Sequence, residues 1–134
     1  MKRILIADDD ESIRMLYAEE FIEEGYEVIT CGDGSQLIEL IEAACPDLVV
    51  MDIRLGTYNG LDLLREIRNN NDHLPVILCT AYHAVKCDLR SIAADSVVVK
   101  SSDLKELKIA IKNVAEERIQ STQTSTGRKA CKNG

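Results

Sequence analysis

Carboxylates dominate the residues able to do chemistry. Asp8, Asp9 and Asp10 follow the apolar run Ile4-Leu5-Ile6-Ala7, and Asp52 follows Leu48-Val49-Val50-Met51. Thr80 and Lys100 close two further runs, Val76-Ile77-Leu78-Cys79 and Val97-Val98-Val99. Two or three carboxylates held together repel one another, which raises their pKa values unless a cation compensates. Hard oxygen ligands with room for water suit Mg²⁺. In such a cluster Asp52 can act as a nucleophile toward phosphorus and become an aspartyl phosphate. Lys100 would supply a point charge for phosphoryl oxygens, and the Thr80 hydroxyl a hydrogen bond. Phosphoryl transfer needs mainly this positioning and neutralisation. Each residue also has a plain reading: Asp10 as a helix N-cap, Thr80 as a strand-end residue, Lys100 as a solvated charge. Their joint occurrence after four of five apolar runs carries the chemical reading.

Those run ends must be brought together by the fold. The fifth run, Val28-Ile29-Thr30-Cys31, ends in Gly32 with nothing reactive. Each run is continuous rather than alternating, as in parallel strands covered on both faces. Between runs the period turns helical: Ile13, Leu16, Tyr17 and Phe21 share a face, as do Leu37, Leu40, Ile41 and Ala44. Leu61, Leu64 and Ile67 form a third stripe, and Leu104, Leu107, Ile111 and Val114 a last one. Around Asp88–Ala93 the helical pattern is weak. Asp10, Ser35 and Ser102 read as N-caps and Gly25 as a helix stop. The sum is an α/β chain, a flavodoxin-like (βα)5 doubly wound parallel sheet. Strand order 2-1-3-4-5, known from precedent for such sheets, would set the reactive run ends around one crevice, where open α/β sheets bind ligands. Residues 1–120 form the domain. Residues 121–134 are polar and aperiodic, and read as a disordered tail or the start of a linker.

Composition narrows the class. The 134 residues are 46% apolar, enough for one domain with a real core. No apolar run approaches the length of a membrane span, and the opening run is too short for a signal peptide. Over residues 1–120, 23 acids against 13 bases leave −10, which argues against a nucleic-acid backbone as partner. Five cysteines without a C-x-x-C suit a reducing compartment and no zinc site. A soluble, cytoplasmic protein is expected. Gly32-Asp33-Gly34-Ser35-Gln36-Leu37 lacks the third glycine of a dinucleotide fingerprint, and no P-loop is present. His73 and His83 have no metal-ligand spacing.

The stretches Ile4-Leu-Ile-Ala-Asp-Asp-Asp10, Pro46–Asp52 through Gly60, Leu74–Ala81 and Val97–Lys100 together resemble the response-regulator receiver domain of two-component and phosphorelay signalling. The resemblance covers about residues 2–120. It implies that Asp52 accepts a phosphoryl group from a histidine on a sensor kinase or histidine phosphotransferase. It implies that Asp9 ligates Mg²⁺ directly, Asp8 through water, and Arg54 by its backbone carbonyl, with Asp52 completing the set. Thr80 and Lys100 would sense and hold the phosphoryl group, while Arg54 and Tyr82 flank it and hinder attacking water. That flanking pair resembles the single-domain intermediate of sporulation phosphorelays. Such a chain catalyses only its own phosphorylation and dephosphorylation, works as a monomer, and signals by protein contact.

Three positions depart from the family pattern. Ser101 stands where a proline usually follows the lysine, Val97 where an aromatic usually precedes it, and the Thr80-to-Lys100 interval is about two residues short. All three fall on or beside the face built by the fourth helix, fifth strand and fifth helix. Two other functions stay open. An aspartyl-nucleophile phosphatase would want a second Asp two residues after Asp52, where Arg54 stands. A receiver-like interaction module would need no phosphate at all.

Overall fold

The computed structural model describes residues 3–80, 94–100 and 104–124, with side chains of the last segment through Val114. Five strands, β1 (Arg3–Ala7), β2 (Glu27–Cys31), β3 (Leu48–Asp52), β4 (Val76–Thr80) and β5 (Ser96–Val99), form one sheet. Every pairing is parallel and the order is β2-β1-β3-β4-β5, the order expected from precedent among open α/β sheets. The inner strands β1, β3 and β4 are buried almost throughout, whereas the edge strands β2 and β5 are half-exposed. Continuous Val/Ile/Leu runs form these inner strands because both faces need apolar cover.

Among the described residues four helices supply that cover: α1 (Glu11–Glu23), α2 (Leu37–Ala44), α3 (Gly60–Asn70) and α4 (Lys105–Thr124). One face of the sheet, through Ile4, Ile6, Val50 and Ile77, packs on Tyr17 and Phe21 of α1 and on Leu107 and Ile111 of α4. The other, through Leu5, Val49, Met51 and Leu78, packs on Leu37 of α2 and on Leu64 and Ile67 of α3. Alternate strand residues point to opposite faces, so each strand feeds both cores.

Local signals explain the helix ends. Asp10 caps α1, its side chain accepting from the N–H groups of Ser12 and Ile13. Gly25 ends that helix at φ +97, with its N–H on Ile22 O and the Tyr26 N–H on Phe21 O, the paired bonds of a left-handed glycine stop. Ser35 is not the cap of α2. Asp33 caps a short 3-10 turn, Gly34–Gln36, that leads into it, because the Asp33 carboxylate reaches the Ser35 N–H at 2.9 Å.

Other expectations need correction. Leu16 is 43% exposed, since α1 turns only Tyr17, Phe21 and part of Ile13 to the core. A two-residue antiparallel hairpin, Arg54–Leu55 with Tyr58–Asn59, follows β3 where the sequence reads as loop. Helix α4 runs on past Ser121 to Thr124, because backbone hydrogen bonds carry a helix onward without an apolar stripe. Cys31 and Cys79 are buried free thiols, packed as small apolar strand residues. Ser102 and the weak helical stretch Asp88–Ala93 lie outside the described residues. No helix among the described residues is long and apolar enough to cross a membrane.

Candidate functional site

Strand register builds the site. Ala7 pairs with Met51, so Asp8 leaves β1 beside Asp52, and Asp52 itself pairs with Cys79 of β4. Asp8 and Asp52 each stand two residues beyond a member of the α1/α4 core, Ile6 and Val50 respectively. The two-residue strand period therefore turns both carboxylates to that face. Cys79 pairs in turn with Val98, and the Lys100 N–H donates to Thr80 O at 2.6 Å, which brings the end of β5 against the end of β4.

Side chains close the crevice. Lys100 Nζ donates to Asp8 Oδ2 at 2.7 Å and to Asp52 Oδ2 at 2.8 Å. Asp8 Oδ1 accepts from the Asp10 N–H at 2.9 Å, and the Asp8 N–H donates to Cys31 O at 3.0 Å. Asp9 is exposed, and its Oδ2 accepts from the Gly56 N–H at the hairpin turn, 3.2 Å away. The Arg54 N–H reaches Asp52 Oδ1 at 3.3 Å. Gly60 ties the loop back, donating to Ile53 O at 2.5 Å. A Cβ on Gly60 would lie 2.5 Å from Asp52 O and 2.8 Å from Ile53 Cα, so only glycine lets α3 start this close to the end of β3.

Charge follows from this geometry. One oxygen from each of Asp8, Asp9 and Asp52 lies within 4.8 Å of the others. Burial raises the Asp52 carboxyl above its ordinary range; Lys100 opposes that rise and the Asp8 charge adds to it. Burial works against the Lys100 cation, but its hydrogen bonds to Asp52 and Asp8 win and its pKa goes up. Beneath them, burial pushes the Cys79 thiol up to about 12, which keeps it protonated and unreactive. Burial, helped by the neighbouring Cys79, likewise lifts the Tyr17 phenol to about 12. The donor set is three carboxylates and no sulfur or imidazole, which fits a hard divalent cation such as Mg²⁺.

Of the residues singled out by sequence, Asp8, Asp9, Asp52 and Lys100 share this crevice. Thr80 is buried at the end of β4, and Arg54 is exposed in the hairpin. Asp10 caps α1. Val97 packs half-buried against the α2/α3 core. Tyr82 and Ser101 lie outside the described residues. Sequence reasoning gave no role at the site to Gly56, Gly60, Cys79 or Arg14, whose Nη1 donates to Asp8 O at 2.6 Å. A signal existed for Arg14: a cation in the first turns of a helix opposes the dipole, and so asks for a compensating acceptor nearby.

Comparison with known proteins agrees with the geometry. The model of the response regulator receiver domain matches residues 4–112. TrrA of Thermotoga maritima, solved in complex with Mg(2+)-BeF, is 42% identical, with a TM-score of 0.81 over 85% of this chain and 99% of that one. TrrA has also been solved in complex with the histidine kinase ThkA; that chain is 41% identical, with a TM-score of 0.79 over 85% of this chain and 98% of that one. Sporulation initiation phosphotransferase F of Bacillus subtilis is 29% identical over 113 residues, 83% of this chain and 91% of that protein. Regulatory protein AtoC of Escherichia coli is 32% identical over 118 residues, 87% of this chain but 26% of AtoC. Across the first four curated relatives the chain spans between 26% and 53% of their lengths. With its sheet order, its clustered acids and a family match over residues 4–112, the chain belongs to the response regulator receiver domain family.

Proposed function

We propose that the protein takes a phosphoryl group from a phosphohistidine of a sensor kinase or histidine phosphotransferase onto Asp52, in a Mg²⁺-dependent reaction. It then signals or relays by protein contact. The observation carrying this reading is the crevice in which Asp8, Asp9 and Asp52 gather under Lys100. Bound Mg²⁺ would be held by Asp8, Asp9, Asp52 and the Arg54 carbonyl, and would offset carboxylate and phosphoryl charge. The chain's own residues do the rest. An Asp52 oxygen attacks phosphorus, the P–N bond to the donor imidazole breaks, and an acyl phosphate P–O bond forms. Lys100 is free to turn from the carboxylates to the phosphoryl oxygens, and the Thr80 hydroxyl adds a hydrogen bond. Arg54 and Tyr82 shield the acyl phosphate from in-line water. The partner docks on the crevice rim and the first turns of α1, where Met15 and Leu16 are 59% and 43% exposed. The ThkA complex of the relative TrrA supports a kinase as donor. A cytoplasmic monomer belongs to the same proposal.

Incubation with acetyl phosphate and Mg²⁺, read by intact mass, tests it. One phosphoryl group should appear in the wild type, none in Asp52→Asn, and much less in Asp9→Ala. Unchanged labelling of Asp52→Asn would end this reading. A wild type that never labels would favour a phosphate-independent interaction module.

A further inference from the structure

Asp8 and Asp9 are neighbours in sequence but are held very differently. The Asp8 side chain is 4% exposed, with its N–H on Cys31 O, one carboxylate oxygen on the Asp10 N–H and the other on Lys100 Nζ. Asp9 is exposed and meets the hairpin at 3.2 Å. The peptide joining the two has its own tie. Its oxygen, Asp8 O, accepts from Arg14 Nη1 at 2.6 Å.

The Arg14 guanidinium also lies over Gly32, so closely that a Cβ there would lie 2.6 Å from Nη1 and 2.9 Å from Cζ. Gly32 directly follows β2, so the contact joins the first turns of α1 to the β2 end and the β1 end at once. Arg14 is the fourth residue of α1, where the helix dipole disfavours a cation, and the Asp8 carbonyl is what it finds there.

We infer that Arg14 is a positioning residue for the cation site: by fixing the Asp8–Asp9 peptide plane it sets the direction in which the Asp9 carboxylate faces. This rests on the reading that Asp8, Asp9 and Asp52 take Mg²⁺. Mg²⁺ accepts little deviation from octahedral geometry, so a carboxylate free to swing binds it poorly. Partners behind the ligands of metal sites typically change affinity about 10–100-fold when removed. Gly32 acts through the same guanidinium, because a side chain there must push it aside.

Calorimetric titration of the full chain with Mg²⁺ tests this, with Arg14→Ala, Gly32→Ala, their double variant, Arg14→Lys, Asp9→Ala and Lys108→Ala. Lys108 bridges α4 to Glu20 of α1 and to Glu24, which caps that helix, away from the crevice, so its variant reports loosening of α1 alone. Arg14→Ala and Gly32→Ala should each weaken Mg²⁺ about tenfold. Arg14→Lys should recover part of that loss, and Lys108→Ala should bind as wild type. The double variant should bind no worse than Arg14→Ala, since the Gly32 effect needs the guanidinium. If Arg14→Ala does not fold, Gly32→Ala and Arg14→Lys carry the same test. Wild-type affinity in Arg14→Ala and Gly32→Ala, with binding lost in Asp9→Ala, overturns the inference and leaves the Mg²⁺ reading standing. Additive losses in the double variant, or equal weakening by Lys108→Ala, also overturn it. A wild type whose Mg²⁺ binding ignores Asp9→Ala defeats both.

Discussion

Replacing Lys100 with methionine keeps the side chain's reach and removes its charge. In the wild type, Lys100 Nζ lies 2.7 Å from Asp8 and 2.8 Å from Asp52, with the three side chains 18%, 4% and 12% exposed. Breaking a buried pair by removing one partner costs about 3–5 kcal/mol, because an uncompensated charge is left behind. The residual exposure and the ability of Asp52 to take up a proton bring this to about 2–4 kcal/mol. At this chain length that lowers the Tm by roughly 10 °C. Mg²⁺ should then matter more. With the amine gone Mg²⁺ has no competitor for the carboxylates, and tenfold tighter binding adds about 1.4 kcal/mol of mass-action stabilisation. Thermal unfolding of both proteins, in chelator and in millimolar Mg²⁺, reads the two effects separately. The variant should melt well below wild type in chelator and regain more than the wild type gains when Mg²⁺ is added. Equal melting in chelator would refute the buried-pair reasoning, and equal Mg²⁺ increments would refute the competition.

Gly60→Ala forces a Cβ against Asp52 O and Ile53 Cα, both main-chain atoms, and should cost about 1–3 kcal/mol in urea unfolding; wild-type stability would show the loop can shift freely. For Asp52 the sign follows from its raised folded pKa: native protein holds a proton that unfolded chain releases, so stability falls as pH rises from the ordinary carboxyl range through the raised value. Asp52→Asn, freed of that loss, should therefore have a higher chelator-phase urea midpoint than wild type at about pH 7 and lose its advantage near pH 3; the reverse order refutes the shift. Smaller polar residues at Arg54 and Tyr82 should speed loss of the phosphoryl group, and an unchanged half-life of phosphorylated protein would dispose of the shielding. Beryllofluoride with Mg²⁺ should move the amides of Asp52–Gly60 more than those of β5 and α4, since the stiff Val97 side chain offers no ring to swing; large amide shifts through Leu104–Ile111 would refute it.

Much of this architecture is legible in one sequence because each signal has a direct physical cause. Doubly covered strands must be apolar throughout, so the runs at Ile4, Leu48 and Val76 stand out and their ends can be searched for polar residues. Gly25 and Asp10 announce the ends of α1 through a left-handed stop and a carboxylate cap. What stays hidden depends on contacts distant in sequence. Leu16 follows the helical period yet faces solvent, because the width of the covered stripe depends on which helix lies next door. The hairpin after β3 has two-residue strands, too short for any periodic pattern. Cys79 reads as one more apolar strand residue until register sets it opposite Asp52. Arg14 reads as a surface charge until β2 delivers Gly32 beneath it.

The alternation of β3 has a consequence for how this chain can change length. Leu48 and Val50 belong to the α1/α4 core, Val49 and Met51 to the α2/α3 core, and Asp52 continues the first series. Deleting one residue between Leu48 and Met51 would exchange the two series over the rest of the strand, carrying the Asp52 carboxylate through the sheet and away from Asp8 and Lys100. A deletion in the turn before β3, residues 45–47, would leave the phase within the strand untouched, though that turn is half-buried and tied to Arg3 of β1. The position of Asp52 is thus a matter of parity: an odd step within this strand separates its carboxylate from Lys100.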